Sequence, residues 1–401
     1  MLDIWHNLFF RFISAFYFSD IKLIHPERIP ESGPVLYLGL HRNGAVDGYV
    51  YHRVLPAPVF MISTQLLKNW FTRIFFGGIA VTRGKDEGNR ALNDAALHRC
   101  LQHLRDRGEL FVFPEGTSSL APRHLPFKSG AVWLLLDYLA AGGPPIQVIP
   151  LGIHYECPWA FRARVEVVAG LPISTALPAG TSRLDSIHIL KSRFQSALEE
   201  AGVNVVSAEY QEVIQRIAYA STLATSRSWF KSLKALEHEV PEPILSAWKA
   251  LEPELRNRNL LYHQGVPLFP MGSLALYSLL LLVSGPVVVA AILLNLPPFL
   301  GAWAAAGKFP DDRNVISLWK ILAGVPLFIL WGLLITLVLF FSGKPLLWVV
   351  YALLTWAGLQ LYYRVKKLAV AVYNGIRYPK LRPGVLDFRR IVLESLPDEP
   401  A

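Results

Sequence analysis

The chain has 401 residues, of which 53% are hydrophobic and only 17% charged, whereas an ordinary soluble domain carries about 25% charged residues. This deficit excludes a purely soluble interpretation and predicts that lipid forms part of the solvent. The net charge of +9 fits an anionic membrane surface, and the scattered basic residues, without a recognition-helix or zinc-finger pattern, predict no nucleic-acid partner. Two cysteines are too few for a disulfide framework or a metal cluster, so we expect a reducing, cytosolic setting.

Residues 1–20 are strongly aromatic and apolar but are interrupted by Arg11. The segment is too short to span a bilayer and lacks the small-residue cleavage site of a signal peptide. We therefore expect a helix lying in the plane of the membrane interface, with an ordinary core helix as the alternative.

Short apolar runs alternate with helix-length stretches over residues 21–204, and this alternation predicts an α/β domain with a mixed sheet flanked by helices. The predicted strands are Val35–Leu40, Val59–Ser63, Gly78–Thr82, Leu110–Phe113, Gln147–Ile153 and Val165–Ala169. The predicted helices are Gln65–Phe76, Glu87–Arg107, Phe127–Ala141 and Leu184–Gly202.

A candidate catalytic pair follows the first of these strands, because His41 emerges from its end and Asp47 comes six positions later. A carboxylate can hold the Nδ1 hydrogen of a histidine and leave Nε2 free to take a proton from a substrate hydroxyl. No serine or cysteine stands in a recognisable nucleophile elbow nearby. The pair therefore indicates direct attack by a substrate alcohol, as in acyl transfer, rather than hydrolysis through an acyl-enzyme.

Three downstream segments carry further polar candidates. Arg83 ends an apolar strand and matches phosphate oxygens well, although such an arginine is more often a surface ion-pair residue. Glu115 and Gly116 follow the strand that stops at Pro114; the carboxylate can accept a hydrogen bond from a glycerol hydroxyl, or simply cap the next helix, and the glycine permits close approach of backbone amides. Thr117 completes this motif, and Lys128 opens the next helix, where it could meet an anion.

The second half of the chain changes character. Residues 205–265 have mixed charge at helical spacing and predict an amphipathic helical connector without catalytic groups. Residues 266–307 contain no charged residue, and the next one along the chain is Lys308. Residues 320–363 predict a transmembrane hairpin that turns at Ser342-Gly343-Lys344. Residues 364–401 form a basic tail. Basic flanks on both sides of the hairpin place its ends, and the catalytic domain, in the cytosol. Residues 266–307 must then cross an even number of times or not at all, and we expect a re-entrant or hairpin element broken at Gly285-Pro286.

Taken in order, the segments resemble the glycerophospholipid acyltransferase family, best known for acylating 1-acylglycerol-3-phosphate. The resemblance covers residues 20–175 and rests on the His41 and Asp47 pair, the strand from Gly78 to Arg83, Phe113-Pro114-Glu115-Gly116, and Val148-Ile149-Pro150. It implies a membrane-bound O-acyltransferase of phospholipid synthesis, with acyl-CoA or acyl-carrier protein as co-substrate and no further cofactor. It also implies that His41 is the base, that Asp47 orients it, that Arg83 holds the acceptor phosphate and that Glu115 holds the free hydroxyl.

Two departures from the family pattern concern the acceptor. Five residues rather than the usual four separate His41 from Asp47, which on an ideal helix would leave the side chains about 240° apart. The stretch therefore cannot be all helix, and Gly44 is the expected bend. Ser118 stands where many lysophosphatidate enzymes have arginine. Branches of the family that resemble the glycerol-3-phosphate and dihydroxyacetone-phosphate enzymes do carry a five-residue gap. Glycerol-3-phosphate and dihydroxyacetone phosphate therefore remain alternative acceptors to 1-acylglycerol-3-phosphate, and a catalytically silent lipid-binding scaffold remains the alternative to an enzyme.

Overall fold

The computed structural model describes residues 4–82 and 90–397. Their contacts divide the chain into two compact units. The first runs up to Trp159 and takes in Val165–Asn204 and Asp312–Leu318. The second comprises Ala160–Arg164, Val205–Asp311 and the chain from Trp319 onward.

The first unit is built on a seven-stranded mixed sheet of order β1-β7-β6-β2-β5-β3-β4. Four neighbouring pairs, β6 with β2, β2 with β5, β5 with β3 and β3 with β4, are parallel, whereas β6 and β7 are antiparallel. The central strand β2 is fully buried, as expected of a parallel strand covered on both faces. The strands are β1 (Asp20–Ile24), β2 (Val35–Gly39), β3 (Val59–Ser63), β4 (Ile79–Val81), β5 (Glu109–Val112), β6 (Gln147–Tyr155) and β7 (Arg164–Ala169).

Helices flank this sheet in two groups. In the first group α1 contacts α2 and α3, and the next three helices form a second packed series, with α4 against β4 and β5 and with α6 against β6. This is the mixed sheet flanked by helices that the sequence predicts. The helices are α1 (Ile4–Tyr17), α2 (Val46–Val54), α3 (Trp70–Phe75), α4 (Arg90–Arg105), α5 (Gly130–Ala140) and α6 (Arg183–Ala201).

One predicted helix in this unit was wrong in detail, and one strand was missed. The single helix expected over residues 65–76 is a short 3-10 helix followed by α3, because the Asn69 side chain accepts a hydrogen bond from the Thr72 amide at 2.8 Å and starts a new helix there. Strand β1 was not predicted, since its DIKLI sequence alternates too briefly to stand out. Helix α1 buries Phe9, Phe10 and Ile13 and leaves Ile4 and Leu8 exposed, and its expected position in the membrane interface stays a prediction.

The described residues of the second unit are helical apart from a small hairpin, Tyr262–His263 with Val266–Pro267. Asn374 ties this hairpin region to the last long helix, because its amide donates to the carbonyls of Leu261 and Leu268. The helices are α7 (Ala208–Thr222), α8 (Trp229–Ala235), α9 (Glu242–Leu255), α10 (Leu274–Leu294), α11 (Leu296–Lys308), α12 (Ile316–Phe341), α13 (Pro345–Arg377) and α14 (Arg382–Ser395), and the hairpin strands are β8 and β9.

The break expected at Gly285-Pro286 is misplaced, because α10 continues through Pro286 and ends at Asn295. A proline removes one hydrogen bond from a helix but does not force it to end in an apolar setting. Asn295 does end it: its side-chain amide donates to the Ala291 carbonyl and to Thr355 Oγ1, and its carbonyl oxygen accepts from the Tyr351 hydroxyl. Pro297 and Pro298 then fit the first turn of α11, where no amide hydrogen is needed.

Among the described residues, three helices are long and apolar enough to cross a membrane. They are α10, the helix that ends at Phe341, and α13, and large apolar side chains are exposed along all three. A water-soluble surface does not normally expose apolar area on this scale. The described part of the chain is therefore suited to membrane association.

Candidate active site

The predicted site residues converge on the carboxyl edge of the parallel strands. His41 lies two residues beyond β2, and Glu115 lies three residues beyond β5, which pairs with β2 in parallel register from Val35 opposite Glu109. Tyr155 is the last residue of β6, the parallel neighbour on the other side of β2. Parallel strands bring their carboxyl ends to one edge, and ligands in α/β sheets bind there.

The His41 ring is paired with Asp47, as the sequence predicts. Nδ1 of His41 lies 2.9 Å from Oδ2 of Asp47, whose side chain is completely buried, whereas the His41 side chain keeps 15% of its surface exposed. An ionised carboxylate only accepts hydrogen bonds, so Nδ1 carries the hydrogen and Nε2 of the neutral ring has a lone pair. The ring also stacks on Phe113, with centroids 4.1 Å apart.

Asp47 is held by three donors besides His41. Oδ2 accepts the backbone amides of Arg42 and Asn43 at 2.6 and 2.9 Å, and Oδ1 accepts the Tyr155 hydroxyl at 2.6 Å. Burial raises the pKa of the Tyr155 phenol well above its ordinary value, so its hydroxyl stays protonated and donates. Four donors on two oxygens fit an ionised carboxylate and fix its orientation.

Sequence reasoning missed Tyr155. It lies 108 positions from Asp47, and nothing in its surroundings separates it from other aromatic residues at strand ends. The only available signal was its place at the end of the Pro150 strand, which topology brings beside the His41 strand.

The bend expected at Gly44 is confirmed. Gly44 has φ of +56°, a left-handed conformation that glycine adopts without steric cost, and α2 begins two residues later with Asp47 in its first turn. A β-carbon at Gly44 would lie 3.2 Å from the carbonyl oxygen of Asn314. Asn314 itself donates through Nδ2 to the carbonyl and the hydroxyl of Ser118, both at 3.0 Å. Ser118, the position that departs from the family pattern, is thus fixed by a residue almost 200 positions away.

Glu115 occupies a different place from the one expected of a ligand for a substrate hydroxyl. Its side chain is only 1% exposed, and its two oxygens accept the backbone amides of His41 and Leu125 at 2.8 and 3.0 Å. Burial raises the pKa of Glu115, and the two amides and the nearby Arg42 oppose that rise. These contacts connect the loop after β5 to the backbone of His41.

The remaining predicted residues lie around the same turn. Gly116 has φ of +69°, and its amide donates to the Phe113 carbonyl at 3.0 Å, so this amide closes the turn instead of facing a ligand. The Lys128 side chain is exposed, and its Nζ lies 2.7 Å from the point where a β-carbon on Gly116 would sit. Thr117, next in the chain, is half-buried. Arg83 lies outside the described residues.

Arg42 is a second residue of the site that sequence reasoning did not single out. Its guanidinium is buried, donates through Nη2 to the Ala121 carbonyl at 2.9 Å, and faces the carboxylates of Glu115 and Asp47. Burial lowers the pKa of Arg42, while the two acids oppose that change. One buried cation therefore offsets part of the charge of two buried acids.

The comparisons with known proteins follow the same segment. A family model described as Acyltransferase matches residues 20–154. Two curated relatives from Saccharomyces cerevisiae are named glycerol-3-phosphate O-acyltransferase 2, 34% identical over 82 residues, and glycerol-3-phosphate O-acyltransferase 1, 24% identical over 284 residues. The matches cover 20% and 60% of this chain but only 11% and 37% of those proteins.

Among solved structures, the 1-acyl-sn-glycerophosphate acyltransferase from Thermotoga maritima aligns with a TM-score of 0.34 and 20% identity, over 48% of this chain and 77% of that one. The matched family segment, residues 20–154, contains the His41–Asp47 pair and the Glu115 turn. Residues 20–154 therefore form an acyltransferase domain, and the chain is similar to the two glycerol-3-phosphate O-acyltransferases over the matched segments.

Proposed function

We propose that this protein transfers an acyl group from a thioester to a hydroxyl of a glycerol phosphate compound. The observation that carries the proposal is the His41–Asp47 pair, with its ring partly exposed at the carboxyl edge of the sheet and its carboxylate fixed by buried donors. A silent scaffold has no need for an ionised aspartate that is buried and aimed at a histidine.

The proposed reaction has a single transfer step. The acceptor hydroxyl gives its proton to Nε2 of His41 while its oxygen attacks the thioester carbonyl carbon. The carbon–sulfur bond of the resulting tetrahedral species then breaks, and the departing thiolate takes the proton from the imidazolium. Asp47 stabilises the imidazolium in between. The acyl donor is acyl-CoA or acyl-carrier protein, and no further cofactor enters the scheme.

Both curated relatives are named for glycerol-3-phosphate, and this favours that acceptor over 1-acylglycerol-3-phosphate. The five-residue spacing between His41 and Asp47 points the same way, and Ser118 departs from the pattern of many lysophosphatidate enzymes. In either case the acceptor phosphate needs a cation. Lys128, exposed beside the Gly116 turn, and Arg83 are the proposed partners. Glu115 would act by positioning His41, since its oxygens are already occupied by backbone amides.

The described contacts support a re-entrant form of residues 266–307. Helix α10 pairs with α13, so that Gly358 packs on Ala291, and the Asn295 turn reaches Tyr351 and Thr355, midway along the apolar run of α13. Helix α11 then returns along α12, where Gly301 packs on Leu327 and Phe309 stacks on Trp319.

We therefore place the α10–α11 turn inside the bilayer and both of its ends on one face. With α12 and α13 as a crossing hairpin, this arrangement leaves the basic flanks and the acyltransferase domain on the cytoplasmic face.

The function is tested with purified protein by following thiol release and acyl incorporation. The acceptors are glycerol-3-phosphate, dihydroxyacetone phosphate, 1-acylglycerol-3-phosphate and lysophosphatidylcholine, each with acyl-CoA and with acyl-carrier protein. We expect turnover with a phosphate monoester acceptor and a loss of about a hundredfold or more in His41→Ala, because general base catalysis typically contributes 10²–10⁴-fold. His98→Ala, an exposed histidine on α4, is the matched control. Equal turnover by both variants would contradict the mechanism, and an inactive wild type with every pair of substrates would favour the scaffold.

A further inference from the structure

A cavity of about 410 Å³ lies within the second unit, and none of the candidate active-site residues is among its lining residues. It is lined by the end of α7, the start of α10, α13 between Arg364 and Ala371, and α14. Its volume falls within the range of about 300–1,000 Å³ that small-molecule sites occupy. The proposed acyl transfer makes no use of it.

The cavity wall is apolar with a basic contribution on one side. Side chains such as Leu268, Phe269, Leu368 and Ala371 form the apolar wall, and Arg364, Lys367 and Arg389 are the charged residues of the lining. The lining that the structure describes contains no aspartate or glutamate. An apolar chamber with three cations and no acid is complementary to an anionic amphiphile.

The position of the cavity along the helices corresponds to a membrane surface. The apolar run of α13 ends at Tyr363, and Arg364 and Lys367 follow at once, where basic residues meet lipid headgroups. On the facing helix α10, Leu280 lines the cavity while being 47% exposed, and its neighbours Leu276 and Leu279 are also exposed. An acyl chain can therefore enter from the lipid side of α10.

Two of the three cations are held in place by the protein. Arg389 donates through Nη2 to the Leu223 carbonyl, and its buried Nε has no hydrogen-bond partner among the described residues. The Lys367 ammonium lies 4.9 Å from the centroid of the Tyr363 ring and 5.4 Å from that of Tyr219. A phosphate oxygen would supply the missing acceptor at Arg389.

We propose that this cavity binds one anionic phospholipid of the cytoplasmic leaflet, with an acyl chain in the apolar chamber and the phosphate against Arg364, Lys367 and Arg389. The bound lipid would fix α14 and the end of α7 against the helices that enter the membrane. The inference uses the proposed membrane insertion, but its binding test does not depend on catalysis.

The test measures lipid retention by native mass spectrometry and thermal stabilisation of the full chain in detergent. The probes are phosphatidylglycerol, phosphatidylcholine and inorganic phosphate. The key variant is Arg364→Gln, and Lys366→Gln is its matched control, because Lys366 lies two positions away on the same helix and does not line the cavity. A second variant, Ala371→Phe, fills the chamber without changing any charge.

We expect wild type to retain one phosphatidylglycerol and to be stabilised by it, with phosphatidylcholine and inorganic phosphate having little effect. Arg364→Gln should weaken phosphatidylglycerol binding about fivefold, since one basic residue near a lipid surface contributes about 1 kcal/mol. Lys366→Gln should bind as wild type does, and Ala371→Phe should lose the bound lipid.

Several outcomes would overturn the proposal. Equal retention of the two lipids would indicate nonspecific annular lipid, and stabilisation by phosphate alone would make the apolar chamber irrelevant. Equal weakening by Arg364→Gln and Lys366→Gln would indicate a general charge effect. If Ala371→Phe does not fold, the Arg364 and Lys366 comparison still decides. If the acceptor assay fails while lipid binding follows this pattern, the proposed function is wrong and this inference stands.

Discussion

The hydrogen bond from Tyr155 to Asp47 gives the sharpest test of the site. Tyr155→Phe removes the only donor that the structure shows on Oδ1, and it leaves that oxygen of a fully buried carboxylate unsatisfied. At 2.6 Å the bond is short and charge-assisted, a class that contributes about 1.5–3 kcal/mol. Because a domain of about 200 residues loses roughly 2–4 °C in Tm per kcal/mol, we expect Tm to fall by about 3–12 °C.

The expected effect on catalysis is separate from the effect on stability. Without the phenol, Asp47 can rotate about its remaining donors and no longer fixes the His41 ring. We expect kcat to fall at least about tenfold, which corresponds to about 1.4 kcal/mol of transition-state stabilisation, with KM for both substrates little changed. Initial rates of thiol release give both constants, and a thermal melt of the same preparation gives Tm.

Tyr49→Phe is the matched control. Tyr49 is equally buried and donates one hydrogen bond, to the Phe75 carbonyl at 2.8 Å, but it does not contact the His41–Asp47 pair. It should lose about 1 kcal/mol of stability and keep its kcat. If Tyr155→Phe and Tyr49→Phe have the same kcat, Tyr155 does not position Asp47 and the reasoning fails.

Three further predictions follow from the same geometry. Glu115→Gln should destabilise the domain by about 1–3 kcal/mol, because the amide nitrogen of the new side chain faces a backbone amide. KM for the acceptor should stay unchanged. A raised KM with an unchanged thermal melt would instead show that Glu115 binds substrate. Gly44→Ala should cost about 1 kcal/mol and lower kcat, whereas Gly48→Ala, with open space around it in α2, should be neutral or stabilising. Burial lowers the pKa of His52 from 6.5 to about 4, so the unfolded chain takes up this proton first as pH falls. The free energy of unfolding of the wild type should therefore fall by up to about 3 kcal/mol between pH 6.5 and 4. Thermal melts across that range should show a smaller loss in His52→Gln.

The alternation of apolar runs and helical stretches determined the α/β architecture of the first unit, because strand and helix periodicities are local properties of the sequence. Val59–Ser63 was predicted with its observed bounds. The long uncharged runs likewise identified the apolar helices from composition alone. The spacing of His41 and Asp47 required a bend, and Gly44 was the residue that could supply it.

Tertiary structure decided what lies farther apart in the chain. The Tyr155 contact depends on β6 pairing beside β2, and the contact of Asn314 with Ser118 joins positions 196 residues apart. Glu115 has the residue type of a substrate ligand, yet the fold buries it and directs two backbone amides at its oxygens. Asn295, rather than Gly285-Pro286, ends α10 because its partners Tyr351 and Thr355 come from another helix. Periodicity and residue type are written along the chain, but burial and hydrogen-bond partners are set by segments that meet only when the chain is folded.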